Sequence, residues 1–247
     1  MKSNLNSKMK MLSLLLMLIP FLGISQTKNV LSTHRVFPKI DKVLEFEKAL
    51  AMHAKKYHSG DTRWSVFEIQ SGPDFGGFQI TEGPKSWESE DTRGNMGDEH
   101  TTDWNKSVTI HLTERQSGGY SVYQDTLSTS PLTDFAEKTQ ITHLYPKVGY
   151  ENQVRGLIKN LRKVWQANGQ SVAVYSSNGS GPSQFAISIR YKQGLKEKTD
   201  GFRKPFKTTY EGIFGDDSME TYMEGIRKYT DENWSEIIFM RKDLSSK

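Results

Sequence analysis

There is no cysteine among the 247 residues. The chain therefore cannot be cross-linked by disulfides or carry a lipid on an N-terminal cysteine, and its fold rests on core packing. Phosphate-cradling patterns are missing too. Neither G-x-G-x-x-G nor a P-loop occurs, so nothing points to nucleotide or phosphoryl chemistry. Ser180 lies among glycines in "SNGSGPS", but the spacing is not G-x-S-x-G, and the stretch reads as a hairpin turn. No paired-carboxylate motif appears.

Long apolar runs are scarce. The one that stands out covers residues 11–24, is preceded by Lys2, Lys8 and Lys10, and ends near the small residues Gly23 and Ser25. It is shorter than the ~20 residues that span a bilayer. The pattern predicts a signal peptide over 1–25 with cleavage before Gln26, hence an exported protein, periplasmic or extracellular. A retained N-terminal anchor is the alternative, and Pro20 and the short run count against it. Without those three lysines the formal net charge falls from +4 to +1. A nearly neutral chain with interspersed charges gives no electrostatic reason to expect nucleic acid as a partner, and no membrane insertion is expected after cleavage.

What is present is a phrase written twice. "THRVFPK", from Thr33, returns as "THLYPK", from Thr142. Aligning Pro38 with Pro146 places Phe46, Leu50, His53 and Tyr57 opposite Val154, Ile158, Leu161 and Trp165. Steps of four, three and four mark one face of an amphipathic helix in each half. Each helix is followed by two alternating runs joined at "SGP", which read as a hairpin. "GDEHTTDWNKSVTIHL" and "GDDSMETYMEGIRKYT" then read as second helices, with Asp98 and Asp216 or Asp217 as N-caps. Closing strands open at Tyr120 and Trp234. Each half is thus β-α-β-β-α-β, the ferredoxin-like unit. The predicted division is 26–128 for the first repeat, 129–138 for a linker and 139–247 for the second.

This element order, the duplication and the strand-Pro-Lys-helix opening resemble the dimeric α+β barrel superfamily, which includes antibiotic-biosynthesis monooxygenases, EthD-like proteins and stress-responsive barrel proteins. The resemblance implies an α+β fold in which two ferredoxin-like sheets pack together as a barrel with helices outside. Here both units lie in one chain, so a monomer is plausible, although the sequence leaves the oligomeric state unassigned.

Strand parity locates candidate chemistry. Phe185, Ile187, Ile189 and Tyr191 alternate with Ala186, Ser188 and Arg190, while Phe78 and Ile80 alternate with Gln79 and Thr81. The apolar set is expected to meet the helices and the polar set to line the interior. On the first strands His34 shares a parity with Thr142, and Arg35 with His143, so the two histidines are not equivalent. A ligand-binding cavity is expected from Gln79, Arg35, Trp64 and Tyr175, with His143 and Arg190 as candidate catalytic groups. Arg190 is expected to meet Glu68, Glu236 or a ligand. The superfamily's cofactor-independent oxygenases hold an electron-rich substrate with aromatic and hydrogen-bonding side chains. That resemblance implies a set of His143, Trp64, Tyr175 and Arg190, and the Asn, Trp and His set of the haem-degrading branch has no residue-by-residue match.

No cofactor or metal set emerges from the spacing. His53 and His58 are five apart, on different faces of a helix, where a helical metal pair wants i, i+4; one is expected at the solvent edge and the other in the core. Asp98, Glu99, His100 and Asp103 suit the first turn of a helix, where its dipole favours acids. The irregular stretches from Gly83 and Lys192 read as lids over the barrel mouth or as satellite cores. Three functions stay open: small-molecule binding, a cofactor-independent oxygenase on an electron-rich aromatic or carbonyl substrate, and a structural or stress-related envelope protein.

Overall fold

The computed structural model of the protein describes residues 27–94 and 96–246. Strand β1 (Val30–Pro38) is followed by helix α1 (Val43–Tyr57), β2 (Trp64–Ile69), β3 (Phe78–Lys85) and the short helices α2 (Trp87–Arg93) and α3 (Asp98–Asp103). From α3 the chain continues through a π-helical turn, Trp104–Val108, and a 3-10 turn, Thr109–His111, into β4 (Leu112–Tyr123). The second half contains β5 (Lys138–Pro146), α4 (Glu151–Ala167), β6 (Ser171–Asn178), β7 (Phe185–Arg190), α5 (Phe206–Phe214), α6 (Ser218–Tyr229) and β8 (Thr230–Met240). The expected signal peptide and its cleavage point lie outside the described residues. Among the described residues no helix is long and apolar enough to cross a membrane.

The repeated phrase does the same work twice. After each Pro, the lysine N–H bonds to the end of that half's second helical segment: Lys39 to the His111 carbonyl and Lys147 to the Tyr229 carbonyl, both at 2.9 Å. The chain then turns into α1 or α4. Their apolar faces are those the periodicity marks, with Phe46, Leu50 and His53 buried on α1 and Val154, Ile158, Leu161 and Trp165 on α4.

Strand order within the halves is β4-β1-β3-β2 and β8-β5-β7-β6, and the two sheets close into one eight-stranded antiparallel barrel. Two seams join them. Phe67 and Ile69 of β2 pair with Met240 and Ile238 of β8, and Tyr120 and Tyr123 of β4 pair with Asn178 and Tyr175 of β6. Closure leaves no strand edge free to recruit another chain. The outward residues Val66, Phe78 and Ile80 pack under α1, and Val172, Val174, Phe185 and Ile187 pack under α4, giving each half its own outer core.

Two sequence expectations fail here. Strands β4 and β8 begin eight and four residues before the aromatics that were expected to open them. Leu112–Tyr123 pairs along nearly all of β1, and Gly118 and Gly119 conceal the strand character of its middle. Of the two readings open for the stretch from Lys192, the packed core is the one formed: Phe206, Tyr210 and Phe214 of α5 pack with the α4 core. Neither expected N-cap bonds through its side chain, because Gly97 occupies the α3 cap, and Asp217 sits at the α6 cap in a left-handed conformation with φ 61°.

Candidate functional site

Inward-facing residues line a partly open cavity of about 360 Å³, within the range of small-molecule sites. Arg35, Gln79, Thr81, His143, Tyr175, Ala186, Ser188 and Arg190 all line it, as their parity requires. Phe67, Ile141 and Ile238 supply an apolar wall that packs across the β2–β8 seam. Side-chain hydroxyls of Ser188 and Thr139 reach the cavity as well, and neither makes a side-chain hydrogen bond within the described structure.

An ionic group at the cavity crosses from half to half, as Arg241 does elsewhere through Glu47 and Glu68. The Arg35 guanidinium, on β1, binds the Glu236 carboxylate of β8 through both terminal nitrogens, and also reaches Asp74 at 2.7 Å and Gln79 Oε1 at 2.8 Å. Glu236 is only 1 % exposed, and its Oε1 also lies 2.8 Å from His143 Nε2. Burial alone would raise this carboxyl, but the bonds from His143 and Arg35 outweigh it and hold Glu236 below the ordinary carboxylate range. The same contact fixes the imidazole, since a carboxylate takes a hydrogen from Nε2–H and leaves Nδ1 facing the Gln184 amide. Indole stacking holds the ring flat, with Trp234 at 3.9 Å between centroids and 21° between planes. Sequence parity left Trp234 unassigned and offered Glu236 only as a partner for Arg190, because β8 was expected to start at Trp234.

Arg190 behaves differently from the expectation. Among the described residues it makes no ion pair with a carboxylate. Its terminal nitrogens bond instead to Ser130 Oγ, the carbonyls of Pro131 and Leu132, and the Tyr175 hydroxyl, at 2.8 to 3.3 Å. A guanidinium 4 % exposed is thus satisfied by carbonyl dipoles of the connection between the halves. In register Arg190 lies opposite Thr139, and Ala186 opposite His143. Four residues along a strand are about 13 Å, so Arg190 and His143 do not converge on one reacting atom. Tyr175 only accepts from Arg190, which leaves its own hydrogen for the cavity; burial, acting against Arg190, pushes this phenol above its ordinary value.

No family model matches the chain, and no curated protein matches it. Solved structures do. An anthrone oxidase-like protein superposes with a TM-score of 0.57 at 13 % identity, covering 87 % of this chain and 92 % of that one. A protein of Fusobacterium nucleatum subsp. nucleatum provisionally named a monooxygenase gives 0.52 at 13 % identity, covering 86 % and 92 %. At such identities the likeness concerns fold. The chain has the fold of a fused dimeric α+β barrel.

Trp64 lies outside the fused barrel's interior, contrary to the ligand-binding role expected of it. It shares outward parity with Val66 and joins the α1 core, where it stacks on His58 at 3.5 Å and donates Nε1–H to Glu82 at 2.9 Å. The inward residue next to it on β2 is Ser65, and Phe67 is the one that reaches the cavity. Of His53 and His58, one was expected at the solvent edge, and that one is misplaced. His58 follows the last turn of α1 with extended dihedrals, φ −113° and ψ 105°, so the chain folds back beneath its own helix. His53 and His58 are therefore both buried, and His100 of α3 joins them between the helices and the outer face of the fused barrel. Burial pulls all three imidazoles below the ordinary histidine value, and Asp103 and Glu82 oppose that shift at His53 and His58.

Proposed function

We propose that the protein is an exported small-molecule-binding barrel whose ligand occupies the cavity between the two sheets. The observation that carries this reading is the cavity itself, about 360 Å³ between one apolar wall and one polar wall. Phe67, Ile141, Ile238 and Trp234 offer surface to a flat or conjugated body. The free hydrogen of Tyr175 and the hydroxyls of Ser188 and Thr139 suit a carbonyl or phenolic oxygen. Residues 1–25 act in this reading as the export signal, removed before Gln26, and the fusion of both units lets a single chain complete the barrel.

Native mass spectrometry of the protein purified from its own host tests the binding role. A bound small molecule is expected, and it is expected to be lost in Ser188→Trp, whose indole fills the cavity. A wild-type chain that is uniformly empty, or a Ser188→Trp chain carrying the same molecule, refutes the reading.

The Glu236–His143 pair favours a second reading, in which the bound molecule is also deprotonated. With its Nε2–H held by the carboxylate, the imidazole can accept a phenolic or enolic proton at Nδ1 once the Gln184 amide swings aside. An electron-rich anion of that kind is what a cofactor-independent oxygenase requires. Turnover of phenol or quinol substrates that persists unchanged in His143→Ala removes this reading and leaves binding intact.

A further inference from the structure

We propose that the Nε2 atoms of His53, His58 and His100 form a binding site for a divalent transition-metal ion of the zinc class, outside the barrel and independent of its cavity. One ring nitrogen from each histidine lies within 4.8 Å of the other two. His53 Nε2 is 3.2 Å from His100 Nε2, which is 3.3 Å from His58 Nε2. Zinc binds imidazole nitrogen at about 2.0–2.1 Å, and two such bonds at the tetrahedral angle put the nitrogens about 3.3–3.4 Å apart. The two spacings to His100 match a shared ion.

Proton counting leads to the same place. His53 Nδ1 lies 2.7 Å from the Asp103 carboxylate, and His58 Nδ1 lies 3.2 Å from the Thr62 carbonyl and 3.5 Å from Glu82. Only an N–H suits those partners, so in the neutral rings both Nε2 atoms carry lone pairs. Both lone pairs face the same atom, His100 Nε2, which has at most one hydrogen to give. A cation that takes a lone pair from each ring resolves the conflict.

The surroundings are those of a ligand set. A carboxylate behind one imidazole and a carbonyl behind another fix the tautomers and raise the basicity of the ligating nitrogens. Trp64 stacked on His58 at 3.5 Å, and Trp104 packed 5.2 Å from the His53 ring, immobilise the rings from the sides. His53 and His58 are buried, whereas His100 is only half-buried. The fourth position consequently opens on the His100 side to water or a small anion, the arrangement in which zinc polarises a bound water. The second repeat offers no counterpart, because Leu161 stands where His53 does.

Calorimetric titration of chelator-treated protein with Zn2+ tests the site, with Co2+ absorption as a second readout. Expected results are one saturable Zn2+ per chain, a thermal midpoint raised by about 5–10 °C at free Zn2+ near 100 times Kd, and the intense visible bands of tetrahedral Co2+. His100→Ala, at the least buried ligand, should weaken binding at least 100-fold, and Asp103→Asn about 10–100-fold. His111→Ala should change nothing. The proposal is overturned by wild-type protein that binds no Zn2+ saturably, by a weak octahedral Co2+ spectrum, or by His100→Ala binding as tightly as wild type.

Discussion

Replacing Glu236 with glutamine removes a buried negative charge that links the two halves. The carboxylate accepts from both terminal nitrogens of Arg35 and from His143, and is 1 % exposed. Deleting one partner of a buried ion pair typically costs about 3–5 kcal/mol, because the other charge stays buried. Arg35 keeps Asp74 at 2.7 Å and Gln79 at 2.8 Å, which places Glu236→Gln at the lower end, about 3 kcal/mol. With a urea slope of about 2–3 kcal/mol per molar, the unfolding midpoint should fall by about 1–1.5 M at pH 7. The pH dependence has a definite sign. Glu236 is held below its unfolded value, so its contribution is fully present above the ordinary carboxylate pKa of about 4.3 and is lost as pH falls through the lower folded value. The gap between wild type and variant should accordingly be widest near neutrality and narrow below about pH 4. A neutral-pH difference under about 1 kcal/mol, or one that widens on acidification, would refute the account of this pair.

Two further perturbations test the seam and the outer core. At Gly119 an added Cβ would lie 2.4 Å from Ser180 Cβ, whose Oγ accepts the Tyr120 N–H at 2.7 Å; Gly119→Ala should cost about 2 kcal/mol, and adding Ser180→Gly should recover most of it in the same urea titration. Trp64→Phe deletes an N–H donated to the Glu82 carboxylate and should cost about 2 kcal/mol, yet leave the amount of bound small molecule measured by native mass spectrometry unchanged, since Trp64 faces the α1 core.

The barrel was legible because its signals are periodic and written twice. Period two in "QFAISIRY" separated Phe185 and Ile187, which meet α4, from Ser188 and Arg190, which line the cavity. That parity also set His143 against Arg35 instead of His34, as the register shows: Arg35 lies between Gln79 and Ser117, and His143 between Ala186 and Trp234. Partner identity was not legible. Nothing local in the sequence says that Glu236 meets Arg35 while Arg190 meets the carbonyls of the connecting segment, for those pairings depend on where β8 begins and how the seam closes. Trp64 was misplaced by one parity step, which in a strand is the difference between inside and outside. The three histidines were missed for a different reason: the i, i+4 rule holds only within a helix, and His58 is already past its end.

Duplication also explains how the chemistry is distributed. In a symmetric dimer every inward residue occurs twice, so a buried arginine on the first strand brings a second arginine across the barrel and the two cations must be neutralised separately. Fusion lifts that constraint. Here the position equivalent to Arg35 is His143, and a single carboxylate, Glu236, is close enough to both to neutralise one and orient the other. The same freedom allowed Leu161 to complete an apolar core at the position where His53 completes a cluster of imidazoles. The two halves thus keep one backbone plan while one anchors the carboxylate–imidazole pair in the cavity and the other gathers nitrogen ligands on its outer face. Because the cavity and the histidine cluster lie on opposite faces of the same sheet, with Phe67 inward and Trp64 outward on β2, each can be altered by substitution without removing a residue from the other.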